Sequence, residues 1–425
     1  MLDINLVRQN PDLIRNDLKK RGRLDLLKKL DDLIIYDKQW RESLQKVEKL
    51  RHLRNVLSNE IAQLKKQGKD VSEKLEQVKN IPNQIKEEEE KTIELQNKIK
   101  SIMYELPNIL HESVPIGKDD SENVVVKEWG TKKKYDFELK SHVDILNEKD
   151  LGDTEKASNL SGARFYYLKN ELVLLENALQ RFALDFLYKK GFILMQTPLM
   201  LRREPYEAMV SMQDFEDVMY KIENEDLYLI ATSEHAIGPY HMNETIDVKN
   251  LPLKYAGISS CFRKEAGSHG KDTKGIFRVH VFNKVEQFVF CKPEDSWKIH
   301  EELRQNMEEI FQALEIPYRI VNICTGDIGN IAAKKYDLEA WMPVQQKYRE
   351  MCSCSNCTDY QARRLQTKYQ DGDKKEFVHT LNSTAIATSR AIVAIIENNQ
   401  NKDGSFNVPK VLWPYMNGIK VIGKR

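Results

Sequence analysis

Between Leu24 and Leu106 the chain carries one glycine, Gly68, and one proline, Pro82. A stretch so poor in helix breakers can hold long unbroken helices. Its apolar residues are spaced for that. Leu30, Leu33, Trp40, Leu44 and Val47 follow alternating steps of three and four, with Asp37 a polar lapse in the series. After a phase slip the pattern resumes at Leu50, Leu53, Leu57, Ile61 and Leu64, and a second run reads Ile81, Ile85, Thr92, Leu95, Ile99, Ile102, Leu106. Both are seams of coiled-coil helices. The "KQGKD" segment, 66–70, reads as a turn, so the two helices fold back as an antiparallel hairpin, and Pro82 kinks or delays the start of the second. Helices of about 40 residues at ~1.5 Å per residue give an arm of roughly 60 Å.

From Lys19 to Lys69 there are 15 Lys/Arg against 7 Asp/Glu, whereas the second helix carries the acidic run "KEEEEK". Charged helix faces are ordinarily just solvated. A basic helix on a projecting arm also suits a phosphate backbone, which is read mainly by Lys and Arg. The sequence leaves both readings open.

Residues 1–110 are therefore taken as the helical arm. Residues 111–130, with Pro, Gly and acidic residues and no periodicity, read as a linker. From 131 to 425 the pattern is mixed. An amphipathic helix over 171–191 ends at Gly191, "FILMQTPLML" is a strand, short β-rich runs follow to about residue 290, and 293–316 is another helix. That order indicates an α+β domain on a mainly antiparallel sheet. Net charge is only +1 with 41% hydrophobic residues, which neither demands nor excludes an anionic partner. The N-terminus has no apolar signal core and no run approaches the roughly 20 residues of a membrane span, so a cytoplasmic location without membrane attachment is expected. Three of six cysteines cluster in "CSCSNC" at 352–357. No fourth ligand lies near enough in sequence to favour a structural zinc site.

The chemistry concentrates in 262–288, "FRKEAGSHGKDTKGIFRVHVFNKVEQF". Alternation places Arg263 and Glu265 on one face of a first strand. Arg278, His280, Phe282, Lys284 and Glu286 then share a face of a returning strand, with Val279, Val281 and Val285 between them. The hairpin offers two arginines suited to phosphate, an aromatic platform for a base, and acids for a small polar substrate. A surface hairpin with mutually paired charges would look the same. There is no P-loop and no Rossmann glycine fingerprint, and no nucleophile or general base stands out. His235, His241, His269 and His280 lack partners at metal or triad spacing.

"FRKE" followed by "GIFRVHVFNKVEQF" resembles motif 2 of the class II aminoacyl-tRNA synthetases, specifically the seryl-tRNA synthetases. "LDFLYKKGFILMQTPLM" resembles motif 1, with Pro198 as its marker. "TSE" at 232–234 is similar to the family's serine-binding strand. "CTGDIGNIAAKKYDLEAWMP" and "YREMCSCSNCTDYQARR" resemble the segment before motif 3, and "HTLNSTAIATSRAIVAIIEN" resembles motif 3 with Arg390. The matches run in order along essentially the whole chain.

The resemblance implies serine–tRNA ligase activity. L-serine and ATP would give seryl-adenylate and pyrophosphate, and serine would pass to the 3′ end of tRNA(Ser), and of tRNA(Sec) where present. It implies that Arg263, Glu265 and Arg390 are catalytic. ATP would be bound by Arg263, Lys264, Glu265, Arg278, Val279, Phe282, Glu350, Met351, Cys352, Ser353 and Arg390, with Mg²⁺ on Glu350 and Ser353. Serine would meet Thr232, Ser233, Glu234, Arg263, Glu286, Asn382 and Thr384. A homodimer is implied, with the arm gripping tRNA. The loop 266–275 would close on ATP or meet the acceptor end. In adenylate formation the substrate carboxylate is the nucleophile, so a missing protein nucleophile is expected. Cys352 stands where the family usually has Ser, Met351 where it has a branched aliphatic, and Ala385 and Ala387 where glycines are common. The alternatives are a homologue activating another amino acid, one charging a non-tRNA acceptor, or a non-enzymatic RNA-binding protein. The last would not be expected to keep Arg263, Glu265, Arg278, Glu286, Glu350 and Arg390 together.

Overall fold

The computed structural model of the chain describes residues 1–211, 218–265 and 274–424. Two compact units are formed by Leu2–Pro107 and Asn108–Arg425.

In the first unit, helix α1 spans Leu27–Lys66 and α2 spans Ile81–Glu105. A short helix, Ser72–Lys79, precedes α2, and Pro82 sits in its first turn, where a proline's missing N–H costs no hydrogen bond. The helices run antiparallel. Lys29 pairs with Glu105, Ser43 meets Thr92 at 2.8 Å, Lys46 reaches Glu88 at 2.8 Å, and Leu57 packs with Ile81 and Ile85.

The seam differs from the expected one in its middle. Leu44 and Leu53 are exposed, and Ser43 is buried in place of Leu44. Ser43 is tolerated inside because its hydroxyl bonds Thr92 and the Glu88 carbonyl, so that hydroxyl is not buried unpaired. The lapse at Asp37 is likewise accounted for. Arg8 grips it with both ends of its guanidinium, at 2.9 and 2.7 Å, and Arg41 adds a contact at 3.0 Å.

The second unit is organised by an eight-stranded sheet. Its strands are β1 (Val124–Trp129), β2 (Ile193–Gln196), β3 (Leu253–Phe262), β4 (Val281–Cys291), β5 (Tyr318–Asn322), β6 (Lys334–Met342), β7 (Lys347–Asn356) and β8 (His379–Ala387). The spatial order is β1-β5-β6-β7-β8-β4-β3-β2. Every pairing is antiparallel except β2 with β3. Residues 124–129, assigned from sequence to the linker, are thus an edge strand.

Helices α3 (Glu171–Lys189), α4 (Ser296–Ala313) and α5 (Thr388–Asn399) contribute Leu179, Met307 and Ile392 to one large core with the alternate residues of β4 and β6. Helix α3 ends as the sequence predicts. Gly191 has φ +84, Gly191 N–H donates to the Tyr188 carbonyl, and Phe192 N–H donates to the Leu187 carbonyl. This pair of hydrogen bonds to the last turn needs a left-handed residue, and glycine takes that conformation without strain.

Candidate functional site

The opposite face of the sheet is polar at its centre. Paired residues in an antiparallel ladder share a face, and this brings Gly257 beside Glu286, Glu286 beside Thr384, Ser259 beside Lys284, and Asn382 beside Ser355. Glu286 is 2% exposed, and its carboxylate accepts from Lys284 Nζ at 2.6 Å and Thr384 Oγ1 at 3.1 Å. Lys284 was visible in the sequence alternation but was not assigned to the site. Its signal was a lysine two positions from Glu286, on the face that carries that acid.

Glu234 opens a short helix, Glu234–Ile237. One carboxylate oxygen accepts from Gln361 Nε2 and from Asn382 Nδ2, each at 3.1 Å. Burial, then the nearby Glu286 charge, pushes its carboxyl up to about 7 against the pull of Lys284. Amide donors and a like charge do not neutralise a buried carboxylate. Glu234 and Asn382 line a cavity of about 290 Å³ whose other walls include Ile331, Lys335, Ser353 and Cys357. The adjoining "TSE" residues divide. Thr232 is buried with its hydroxyl accepting from Glu234 N–H at 3.3 Å, whereas Ser233 donates to the Gly257 carbonyl and packs into the sheet. A Cβ at Gly257 would lie 2.7 Å from Ser233 Oγ, so a glycine is required opposite it. His235 is buried, bonded to Tyr206 at 2.9 Å, and its burial holds it down at about 3, hence neutral.

The arginines gather at the end of the β3–β4 hairpin. Arg263 Nε donates to the Ala231 carbonyl at 3.3 Å, and its guanidinium lies 5.3 Å from the centre of the Phe282 ring. Arg278 faces Glu265 at 3.6 Å. The strands end earlier than alternation alone predicts: β3 stops at Phe262 and β4 begins at Val281. One more rung forms, Arg263 N–H to the His280 carbonyl, but His280 N–H goes to the Arg164 carbonyl instead. A third segment thus takes the donor that would continue the ladder. Glu265, at φ +53, turns away from strand geometry. His280 Nδ1 lies 2.7 Å from the Tyr220 hydroxyl and 2.8 Å from the Arg263 carbonyl, which fixes the backbone carrying that arginine. Lys264 is exposed and its N–H donates to the Val218 carbonyl. Val279 is a core side chain, so only its main chain is available to a ligand. The loop over 266–273, with His269, lies outside the described residues.

A third group comes from β7 and α5. Arg390 Nη1 donates to the Glu350 carbonyl at 3.0 Å and lies 3.4 Å from its carboxylate. Arg390, with burial opposing and Lys335 and Arg263 helping, holds the Glu350 carboxyl down at about 2. Met351 and Cys352 are both core side chains, and Cys352 Sγ points to the Ala385 carbonyl. A bulge in β7 explains this. Cys352 pairs with Leu338 and Glu350 with Glu339, leaving Met351 as the surplus residue. Ser353 pairs with Asp337, so Glu350 and Ser353 share the polar face although three residues apart. Cys354 also faces the core, and Cys357 turns to Asn382, so the thiols of the cluster are dispersed. Sequence reasoning missed Lys335 and Asp337, an ion pair at 3.3 Å on the same face. Burial raises the Asp337 carboxyl to about 7 in spite of Lys335.

Residues 1–110 match the family profile of the seryl-tRNA synthetase N-terminal domain, and residues 217–399 match that of the tRNA synthetase class II core domain (G, H, P, S and T). Serine–tRNA ligase of Methanospirillum hungatei JF-1 is 56% identical over 98% of this chain and 99% of its own, and that of Methanocella arvoryzae is 55% identical over 99% and 100%. Among solved structures, seryl-tRNA synthetase from Pyrococcus horikoshii complexed with ATP superposes with a TM-score of 0.95 at 52% identity, covering 99% of both chains. Cytoplasmic serine–tRNA ligase from Naegleria fowleri in complex with AMP gives 0.88 at 40% identity, covering 99% and 98%. With its polar sheet face, arginine-bearing hairpin and α5 arginine, and with relatives alike over their full length, the chain belongs to the seryl-tRNA synthetase family.

Proposed function

We infer that this protein is a serine–tRNA ligase. The observation that carries the reading is the pocket of buried acids beside a cluster of arginines: Glu234, Glu286, Thr384 and Asn382 on one side, Arg263 and Arg390 on the other. A small substrate bearing an ammonium, a hydroxyl and a carboxylate complements both.

Serine's ammonium and hydroxyl are assigned to Glu234, Glu286, Thr232 and Thr384, with Asn382 orienting Glu234 and Ser233 supporting the strand. Pairing the hydroxyl with buried polar groups rejects alanine, because those groups would be left without partners. Arg263 faces the serine carboxylate and the α-phosphate. Arg278 and Arg390 take the outer phosphates. Phe282 stacks on adenine, which Glu265 and the backbone of Lys264 and Val279 border, and the main chain of Met351 and Cys352 lies along the nucleotide. A carboxylate oxygen of serine forms a bond to the α-phosphorus as the bond from that phosphorus to the bridging oxygen breaks, releasing pyrophosphate. A hydroxyl of the terminal adenosine of tRNA then takes the seryl group and AMP leaves. The protein supplies alignment and positive charge around the phosphoryl group.

The donors on β7 fit Mg²⁺. Glu350 is ionised and 46% exposed at its side chain, Ser353 offers a hydroxyl on the same face, and Mg²⁺ is ordinarily held by one or two protein oxygens plus substrate phosphates. When bound, the ion offsets phosphate charge.

Residues 1–110 are the proposed tRNA-binding arm, 111–130 the connection and 131–425 the catalytic part. A homodimer is proposed, and exposed apolar side chains at one end of the sheet suit it: Ile193 and Leu194 on edge strand β2 and Tyr188 on α3 are 52%, 41% and 68% exposed. Among the described residues no helix is long and apolar enough to cross a membrane, and a cytoplasmic location is proposed. The test is ATP–pyrophosphate exchange with each standard amino acid in turn. Serine alone should support exchange. Exchange driven only by another amino acid would overturn the assignment.

A further inference from the structure

The segment that follows the helical arm is bonded along the catalytic unit side chain by side chain. Asn322 Nδ2 donates to the Ser113 carbonyl at 2.8 Å, Thr325 exchanges bonds with Gly117 at 3.2 and 3.0 Å, and Asn123 bonds both Cys324 N–H and Asp327 at 2.9 Å. Two of its glycine contacts leave no room for a side chain: a Cβ on Gly326 would lie 2.0 Å from the Lys118 carbonyl oxygen, and one on Gly117 would lie 2.8 Å from Cys324 Sγ. These contacts attach the strap to 322–327, the stretch that leads into the cavity wall, and none of them is to a residue that lines the cavity.

Asn108 is different. It is 4% exposed, and its amide nitrogen reaches two carbonyls belonging to separate stretches of chain: Ile331 at 2.9 Å and Cys357 at 2.8 Å. The two carbonyls are its shortest contacts, and the Thr358 hydroxyl, next to Cys357, lies at 3.1 Å from the same nitrogen. Its Oδ1 accepts from Ile109 N–H at 2.9 Å, and its own N–H donates to the Asn330 carbonyl at 2.8 Å. Ile331 and Cys357 are both walls of the cavity that holds Glu234 and Asn382. Cys357 Sγ in turn lies 3.7 Å from Asn382 Nδ2, the same nitrogen that bonds Glu234.

We infer that Asn108 is a positioning residue for the amino-acid pocket: its carboxamide clamps two walls of the cavity at a set separation and holds the Cys357–Asn382–Glu234 line in place without touching the substrate. This rests on the reading of the cavity as the serine pocket. The carbonyls that its carboxamide holds, those of Ile331 and Cys357, belong to walls of the cavity and not to residues assigned to ATP. Its loss should therefore fall on one substrate.

The test uses the full-length protein and serine-dependent ATP–pyrophosphate exchange. Asn108→Ala should raise the KM for serine about tenfold, the scale of a lost buried hydrogen-bond pair, with the KM for ATP and kcat within about twofold. Asn322→Ala removes a strap bond between two residues that do not line the cavity. It should lower the melting temperature without raising the KM for serine. Asn108→Ser keeps one short donor and should lie between wild type and Asn108→Ala; it also serves should the alanine variant fail to fold. Equal rises in both KM values, an unchanged serine KM in a folded Asn108 variant, or the same serine effect from Asn322→Ala would each overturn the clamp. Absence of serine-dependent exchange in the wild-type protein would overturn the reading of the pocket instead, a separate result.

Discussion

Two buried carboxylates, one in each unit, meet opposite fates. Asp37 in the arm is 2% exposed and held by Arg8 and Arg41. Burial alone would raise its carboxyl, but the two arginines outweigh it and hold the group below its ordinary value. Glu234 in the catalytic unit is met by two amides and a neighbouring glutamate and is pushed up to about 7. Asp37, held by two arginines, serves architecture. A buried charge that lacks a cation is unfinished, and the missing partner fits the ammonium of an amino acid.

The contrast can be broken at several levels. The largest expected effect comes from deleting residues 28–104. Charging of tRNA should be lost while exchange with serine and ATP persists. Loss of exchange in a folded deletion protein would mean that the two units are not functionally separable. Next, Arg263→Ala should lower the exchange rate by about a thousandfold, as removing a charge-stabilising donor does; a rate near wild type would refute its assignment.

Glu234→Gln should raise the KM for serine by roughly ten- to a hundredfold, the range for losing a buried charge-assisted bond. It should also flatten the pH profile. In the wild type, serine affinity should weaken as pH falls below about 7, since an ammonium must then displace the proton on Glu234. A profile unchanged by the substitution would assign the titration to another group.

The smallest effect is expected in the arm. Arg8→Ala should cost about 1 kcal/mol, since Arg41 remains and the pair is partly solvated, measured by thermal unfolding, with exchange unaltered. The two carboxylates also predict opposite responses to pH. Asp37, lowered by pairing, adds stability that is present above the ordinary carboxylate range and lost as pH falls through its folded value. Glu234, raised, adds stability that is present in acid and lost as pH rises from the ordinary carboxylate range to about 7.

The arm was legible because its period is long and its breakers are absent. Even there, periodicity placed Leu44 in the seam where Ser43 stands, since a count of apolar residues cannot register a hydroxyl satisfied by Thr92. At the site, the motifs supplied the residue types, and strand alternation correctly placed Phe282, Lys284 and Glu286 on one face. Alternation failed where the strands are irregular. It could not place Glu350 with Ser353, three positions apart, because that depends on the surplus residue Met351. It also extended the hairpin past Phe262 and back before Val281, because the bond from His280 to Arg164 joins residues far apart in sequence. Lys335 and Asp337 went unnoticed in a segment with no local sign that it faced a cavity.

The bulge in β7 has a further consequence. In a regular strand every residue given to one face is followed by one given to the other. Here two consecutive side chains, Met351 and Cys352, enter the core between two residues of the polar face. The sheet thus gives up one rung of pairing and fills more volume behind the site than alternation allows. The packed wall behind Glu350 and Ser353 is thicker by one methionine, and the polar face in front loses nothing.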